Sequence, residues 1–343
     1  MATGDAPPFW WEKPDWRAWA LWPVSSIYGF AARTRMRTAR REKVAAAVLC
    51  IGNLTVGGEG KTPVAIALAR EAKARKLKVG FLSRGYGGSF SAPHLVNPEE
   101  DSARVVGDEP LLLARHALTV VTPDRAAGAR RLVQAGCELI VMDDGFQSAR
   151  IHMDYALIVV DARRGLGNGH VIPGGPLRAP LVDQMRFADA IVTMGQGSAA
   201  DAVVRSASRA GRPVFAARIR PRGRSGMRGK RVLAFAGIGN PQKFYATLQE
   251  AGAEVVATRS FPDHHPFSEE EVGELASRAS ADGLTMVTTE KDLVRLRHAP
   301  GNVRDFAASV VALPVEAVFE EPGAPDAILR DTMAAWRERM MKG

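Results

Sequence analysis

Cysteine is nearly missing from the 343 residues: Cys50 and Cys137 are the only two, each beside or within an apolar run. A pair so placed argues against a disulfide framework and reads as two reduced, buried packing residues. Neither a Cys-x-x-Cys pair nor a cysteine–histidine cluster of zinc spacing occurs, which argues equally against a structural zinc site. An apolar run long enough to span a bilayer is missing too. Residues 18–32 are free of charge and aromatic, yet they fall short of the about 20 residues a spanning helix needs, and Pro23 and Gly29 weaken them further. They do not form a good signal peptide either, because a small-residue cleavage site is lacking and arginines follow. No low-complexity tract and no nucleic-acid recognition motif is found.

What is there is a globular composition, 46% apolar and 24% charged, in a chain long enough that two domains are the expectation. The net charge of +9 is local. One patch holds Arg33, Arg35, Arg37, Arg40, Arg41 and Lys43 against the single acid Glu42; a second, Arg218 to Arg231, holds seven basic residues and no acid. Such concentration points to an anionic surface or ligand more than to general solubility. The aromatic stretch sits directly before the first patch, an arrangement that suits a helix lying in the membrane interface with its arginines on anionic headgroups. A helix packed on the protein's own core is the competing reading.

The chain is organised around Ile51-Gly52-Asn53-Leu54-Thr55-Val56-Gly57-Gly58-Glu59-Gly60-Lys61-Thr62-Pro63. An apolar run, Val44 to Ile51, precedes it and a helical composition, Val64 to Lys76, follows, giving strand, glycine loop, helix. Glycines let successive N–H groups curl around an anion, and the helix N-terminus adds donors and a positive dipole end. In this reading residues Thr55, Val56, Gly57, Gly58, Glu59, Gly60, Lys61 and Thr62 hold a nucleotide; Lys61 reaches the β- and γ-phosphates and the Thr62 hydroxyl holds Mg²⁺. The usual spacing places the first glycine at position 55, which here is Thr55.

From Val44 to about Thr193 strand-like runs alternate with helical ones, the pattern of a mainly parallel sheet covered on both faces, whose ligands bind at the carboxyl ends of the strands. The expected strands are Val44 to Ile51, Val79 to Leu82, Leu118 to Val121, Leu139 to Met142, Ala156 to Val160 and Ala190 to Thr193. After the second comes Ser83-Arg84-Gly85-Tyr86-Gly87-Gly88, either a substrate contact or a plain turn. Gly107-Asp108-Glu109-Pro110 opens a helical run. Its acids could merely favour a helix N-terminus, but phosphoryl transfer needs both a base and oxygen ligands for Mg²⁺, and adjacent carboxylates can divide those roles. Leu139 to Met142 ends in Asp143 and Asp144, as a Walker B strand does, and those carboxylates would hold Mg²⁺ directly or through water. The Gly- and Pro-rich stretch from Arg163 to Arg178 reads as a binding loop, with Arg178 suited to phosphate.

The second basic patch is expected as a linker, after which the rhythm restarts with strands at Val232 to Ala236, Val255 to Thr258, Thr285 to Thr288 and Val310 to Val315. The divisions expected are 1–43 for the aromatic helix and its basic flank, 44–217 for the core domain, 218–231 for the linker, 232–320 for a smaller α/β domain and 321–343 for a C-terminal helix. Phe261-Pro262-Asp263-His264-His265 is a loop in which one histidine could aim a carboxylate or shuttle a proton, although exposed loop histidines are common.

Together these motifs resemble the tetraacyldisaccharide 4'-kinases, over most of the chain. The carriers are Gly57-Gly58-Glu59-Gly60-Lys61-Thr62-Pro63, Ser83-Arg84-Gly85-Tyr86-Gly87, Gly107-Asp108-Glu109-Pro110, Asp143-Asp144-Gly145-Phe146-Gln147, Pro176-Leu177-Arg178, Gly237-Ile238-Gly239-Asn240-Pro241, Phe261-Pro262-Asp263-His264-His265 and Thr289-Glu290-Lys291-Asp292. Two positions depart, Ser148 where a histidine is expected and Ala179 where an acid is. The resemblance implies transfer of the ATP γ-phosphate to the 4'-hydroxyl of an acylated glucosamine disaccharide 1-phosphate, at the cytoplasmic face of the bacterial inner membrane. It implies that Asp108 is the base assisted by His264, that Thr62, Glu109, Asp143 and Asp144 organise Mg²⁺, and that Arg178 neutralises charge; no nucleic acid and no obligate protein partner is expected. Two other classes remain open. A membrane-associated P-loop ATPase or GTPase switch would share the loop and the Walker B strand, although a guanine-reading Asn-Lys-x-Asp is absent. A lipid- or nucleic-acid-binding scaffold would leave the acid pairs unexplained.

Overall fold

In the computed structural model, which describes residues 6–85, 90, 92–148, 150–223 and 225–342, the apolar run before the glycine loop becomes β1 (Ala47–Asn53), buried along its whole length. Around it the larger sheet is built from β2 (Val79–Ser83), β3 (His94–Leu95), β4 (Leu118–Val121), β5 (Leu139–Asp143), β6 (Tyr155–Asp161), β7 (Ala190–Met194) and β8 (Val214–Pro221). The smaller sheet holds β9 (Arg231–Ala236), β10 (Glu254–Ser260), β11 (Thr285–Thr289) and β12 (Val311–Leu313), and β13 (Val315–Phe319) returns to the larger one. Tyr86, Gly87 and Gly88 of the glycine-rich turn and Arg224 of the second basic patch lie outside the described residues.

The larger sheet runs β13-β8-β7-β6-β1-β5-β2-β4-β3, parallel except at its two edges, where β13 and β3 are antiparallel to their neighbours. The central strands β1, β5 and β6 are buried at every position, so neither face is left for water and apolar clusters lie on both sides. Order reverses at β1: β5 pairs on one side and β6 on the other. The crevice at the carboxyl end of β1 is therefore a topological switch point, where ligands of open α/β sheets bind. The smaller sheet, β10-β9-β11-β12, is parallel throughout and has its own core around Leu233, Phe235, Phe267 and Phe306.

Two expected boundaries are corrected. The arginine-rich stretch starting at Arg218 is not yet a linker, because β8 continues to Pro221 and pairs with β13 from Ala217↔Phe319 to Pro221↔Val315. Phe215, Ala217 and Ile219 face the core at strand spacing while Arg218 and Arg220 fall on the opposite face, which carries the charge that looked like a linker. Likewise Val310 to Val315 is not one strand of the smaller domain. Pro314 divides it, leaving β12 in the smaller sheet and sending β13 to the larger. The smaller unit is thus an insertion hung on one antiparallel ribbon.

The aromatic N-terminal stretch forms two helices, Trp16–Ala20 and Trp22–Thr38, with Pro23 tolerated in the first turn of the second. The helix takes in the first part of the basic patch, Arg33, Arg35 and Arg37, and ends at Thr38; Arg33 and Arg37, one turn apart, both reach the buried carboxylate of Asp183, at 2.8 and 3.3 Å. Among the described residues no helix is long and apolar enough to cross a membrane. Cys50 and Cys137 are free and buried, as expected.

The C-terminal helix, Ala324–Lys342, is locked to the start of β1. Arg339 pairs with Asp154 at 2.6 Å and donates to the carbonyls of Val44 and Ala46, while Asp154 accepts the Val48 N–H at 2.8 Å. Because the Asp154 side chain is fully buried, removing the guanidinium leaves its charge without the cation that holds both oxygens. Arg339→Met is expected to cost about 3–5 kcal/mol of stability, read as a lowered urea midpoint, with nucleotide affinity of the folded protein unaltered.

Candidate active site

Leaving β1, the chain turns over Gly57 and Gly60, both at positive φ (128° and 91°), and enters the helix Lys61–Ala74. Gly60 is the helix N-cap, and a Cβ there would stand 3.2 Å from Met194 in a left-handed backbone, so only glycine fits comfortably. Residues Val56 to Thr62 all line a cleft of about 1020 Å³ that continues between the two units. Thr55 does not line it. Buried beneath the loop, Thr55 hydrogen-bonds Glu59 through its hydroxyl and accepts from Arg178 Nε at 3.1 Å through its carbonyl. The missing first glycine is thereby explained: position 55 supports the loop from below. Burial pushes the Glu59 carboxyl up to about 7.

Carboxylates crowd the same end of the cleft, and each is answered by a cation from another element. Lys61 Nζ lies 3.5 Å from Asp144, and Arg178 lies 3.2 Å from the same group. Burial would raise the Asp144 carboxyl, but the charges of Lys61 and Arg178 outweigh it and bring it down to about 2. Asp144 itself sits at φ 51°, the sharp turn that ends β5. Arg125, buried at the start of the helix Arg125–Gln134, donates to the carbonyls of Asp143 and Asp144 at 3.3 and 2.8 Å and fixes that strand end.

Asp108 and Glu109 open the helix Asp108–Ala114, and their partners come from the inserted unit. Arg295, on the helix Glu290–Arg297, contacts Asp108 Oδ2 at 2.6 Å and is itself aimed by Asp292, also at 2.6 Å. His264 Nδ1 lies 3.3 Å from the same Oδ2, and Lys291 pairs with Glu109. Although burial alone would raise the Asp108 carboxyl, the His264 hydrogen bond and the charges of Arg295 and Lys291 hold it far below the usual carboxylate range. The Lys291 charge lowers Glu109 in turn. His265 takes no part: it lies 2.8 Å from Glu271, beside the capping box of the helix Glu269–Asp282.

The expected metal ligands come together only in part. Thr62 Oγ1 and Glu109 Oε1 stand 3.5 Å apart on the cleft wall, whereas Asp143 is buried below and does not line it. Asp143 Oδ1 is a buried acceptor without a hydrogen-bond donor, and burial together with the nearby Glu109 charge raises its carboxyl. No group of three or more His, Cys, Asp or Glu is arranged to hold a metal among the described residues. The donor set of hydroxyl and carboxylate oxygens, with one buried oxygen each of Asp143 and Asp144 left without a hydrogen bond among the described residues, nevertheless suits a hard cation such as Mg²⁺.

Sequence reasoning missed Arg125 and Arg295, which lie in helices whose amphipathic pattern accounts for an arginine without reference to the site. Of the two departures, Ser148 lines the cleft with a buried hydroxyl that has no partner, and Ala179 is buried with its carbonyl accepting from Gln184 at 2.7 Å.

A glycine loop between β1 and a helix at a switch point, with a lysine at the helix start and acids at the end of the neighbouring strand, defines a P-loop nucleotide-binding protein. Comparison with known proteins narrows the class. The family model for tetraacyldisaccharide-1-P 4'-kinase matches residues 17–334. The chain is 74% identical over 342 residues, covering 100% of each, to a tetraacyldisaccharide 4'-kinase of Chelativorans sp. (strain BNC1), and 59% identical to that of Mesorhizobium japonicum, covering 99% of each. It also matches a crystal structure of LpxK from Aquifex aeolicus in complex with ATP, with TM-score 0.69 and 25% identity over 92% of this chain and 99% of that one. The chain belongs to the tetraacyldisaccharide 4'-kinase family.

The Asp108 hydrogen bond is the leading cause of an upward shift of the His264 imidazole above its ordinary value. The resulting stabilisation is fully present below about pH 6.5 and is lost as pH rises through the raised folded value. NMR titration should find His264 titrating above an ordinary histidine, and Asp108→Asn should bring it back down; an unshifted His264 in the wild type would disprove the pairing.

Proposed function

We propose that the protein transfers the γ-phosphate of ATP to the 4'-hydroxyl of an acylated glucosamine disaccharide 1-phosphate, the reaction of lipid A biosynthesis, at the cytoplasmic face of the inner membrane. The observation that carries the proposal is that Lys61 and Asp108 line one cleft, the first at the phosphate loop and the second completed by His264 from the opposite unit. The names of the relatives supply the acceptor.

On this reading the loop amides and Lys61 hold the β- and γ-phosphates, and the apolar cleft residues Ile219, Phe244, Leu313 and Val315 seat the adenine. Thr62, Glu109 and Asp143 or Asp144 would hold Mg²⁺, which supplies charge neutralisation on the phosphates when bound. Asp108, ionised throughout the neutral range, accepts a hydrogen bond from the 4'-hydroxyl and takes its proton as the oxygen bonds to phosphorus and ADP leaves. Arg295 and His264 keep that carboxylate ionised and aimed. Arg178 answers the negative charge gathering on the transferred group. A base in place beside the phosphate loop favours a kinase over a switch ATPase, which has no acceptor hydroxyl to deprotonate.

The N-terminal helices bring the enzyme to its lipid. Trp16, Ile27 and Phe30 are 76%, 73% and 67% exposed, large apolar side chains turned to solvent at one end of the cleft. That much exposed aromatic surface next to arginines suits the membrane interface.

Incubating the purified protein with Mg-ATP and the acylated disaccharide 1-phosphate in detergent should add one phosphate to the lipid, seen by mass spectrometry. Lys61→Ala should abolish it, and Asp108→Ala should lower kcat by about 10²- to 10⁴-fold with ATP still bound. Hydrolysis of ATP without phosphorylated lipid would instead establish the switch.

A further inference from the structure

Besides its contacts at Asp108 and Glu109, the inserted unit is held at a second place, on the β6 side of β1. The contact begins at Asp161, the buried last residue of β6. Its Oδ1 accepts the N–H groups of Arg163 and Arg164 at 2.8 and 3.3 Å, which fixes the turn leaving the strand. Its Oδ2 accepts from Lys243 Nζ at 3.3 Å, and Lys243 belongs to the inserted unit, on the helix Pro241–Glu250. One carboxylate thus shapes a turn of the larger unit and holds a helix of the smaller.

Arg164, presented by that turn, reaches the inserted unit as well. Its Nη2 donates to the Gly239 carbonyl at 3.3 Å, in the turn Gly237 to Asn240 that leads into the same helix. Its guanidinium lies over the Trp11 ring, 5.0 Å from the centroid. The short 3₁₀ helix carrying that ring, Pro8–Trp11, is tied to the larger unit: the Trp10 indole N–H donates to the Pro173 carbonyl at 3.0 Å, and the Asn168 N–H donates to the Trp10 carbonyl at 2.7 Å. Trp11 and Val56 of the phosphate loop both pack against the small cluster of Phe9, Trp10 and Ala18, and a Cβ at Gly57 would stand 3.9 Å from the Trp11 ring. The face of the guanidinium therefore rests on a fixed aromatic support, and its edge is left for the insertion. What that contact positions is seen at Gly239, where a Cβ would stand 3.9 Å from the Gly58 nitrogen: the turn lies directly over the phosphate loop.

We infer that Arg164 is a positioning residue for phosphoryl transfer: stacked on Trp11, it holds the Gly237 to Asn240 turn down over the phosphate loop and so keeps the inserted unit where His264 and Arg295 meet Asp108. The inference rests on the proposed reaction and gives it a residue that acts from outside the reacting groups. A guanidinium donating to a carbonyl makes a charge-assisted hydrogen bond, and a cation over an indole face adds to it; both are lost together when the cation is removed. The contacts at Asp108 lie across the cleft on the same inserted unit, so releasing the turn at Gly239 also loosens His264 and Arg295 from the base. Trp11 acts only through Arg164 in this arrangement, which makes the two side chains energetically dependent on each other.

The test reads the separation of the two units and the rate together. Spin labels on Arg209→Cys and Arg278→Cys, exposed positions on the helices Asp201–Arg209 and Glu269–Asp282, report the separation by electron–electron resonance with Mg-ATP bound, and the natural Cys50 and Cys137 are buried away from the label. Arg164→Met should add a second population of distances and lower kcat on the lipid, at saturating ATP, by about 10-fold, with the urea midpoint unchanged. Arg164→Lys, which keeps a cation able to stack and donate, should restore most of both. Trp11→Leu should move both readouts in the same direction, and Arg164→Met/Trp11→Leu should be little worse than Arg164→Met alone. A single unaltered distance population in Arg164→Met would overturn the positioning role, and so would losses that add fully in the double variant. A wild type that closes on Mg-ATP but phosphorylates no lipid would remove the proposed reaction instead, leaving the docking role to be decided by the distances.

Discussion

Four carboxylates, Asp108, Glu109, Asp143 and Asp144, converge beside one phosphate loop, and their mutual repulsion in a half-buried cleft is the constraint the rest of the architecture answers. Each answer comes from a different part of the chain. Lys61 and Arg178 take Asp144, Lys291 takes Glu109, and Arg295 with His264 takes Asp108. Arg125 holds the backbone from which Asp143 and Asp144 project. Asp143 and Asp144 each keep a buried oxygen without a hydrogen-bond donor among the described residues, and the Asp143 carboxyl, which has no cation at salt-bridge distance, is pushed upward. The site is thus built to accept positive charge as well as phosphate. That is the electrostatic requirement for binding a nucleotide together with its metal ion while one carboxylate stays ionised as a base.

This balance cannot be reached by the larger unit alone, because the partners of Asp108 and Glu109 belong to the insertion. Both connections to the insertion pass through the β8–β13 ribbon, so the two units share one stalk and meet again at the cleft, where Val294 of the insertion also packs with Val106 and Leu111 of the larger unit. Consequently Asp108, the proposed base, is held by Arg295 and His264 only when the insertion is docked. In the proposed reaction this makes phosphoryl transfer conditional on a closed, water-poor cleft, which protects ATP from hydrolysis while the lipid is absent.

The core of the fold was legible because its strands are buried on both faces and so read as unbroken apolar runs; β1, β4, β5 and β7 fall where those runs do. The strands that escaped are at the two edges of the larger sheet, the two-residue β3 on one side and the β8–β13 ribbon on the other. In β8 the second half alternates, with Arg218 and Arg220 on one face and Ile219 on the other, which hides the strand from any measure of average polarity, and β13 hides behind Pro314. The site was legible where chemistry is written locally, as in Gly60-Lys61-Thr62 or Asp143-Asp144. Arg125 and Arg295 were not, since an arginine on an amphipathic helix carries no mark of what it faces. Thr55 was misleading for a related reason: its place in the motif suggested contact with nucleotide, whereas its burial makes it a support for Glu59 and Arg178.

The first basic patch shows how one run of like charge is divided by helical geometry. Arg33 and Arg37 lie one turn apart and are consumed by Asp183, an internal contact that pins the helix to the larger unit. Arg35, between them in sequence, is turned by about 100° per residue onto a different face and opens on the cleft. Anchoring through the flanking pair is what gives the third arginine a fixed direction, since a helix held only by membrane contact would be free to roll. The same rotation leaves Ile27 and Phe30 on the outer face. In the proposed reaction a single rigid helix therefore touches the lipid surface, the acceptor's path and the protein core at once, and it is the buried Asp183 carboxylate that sets which face does which.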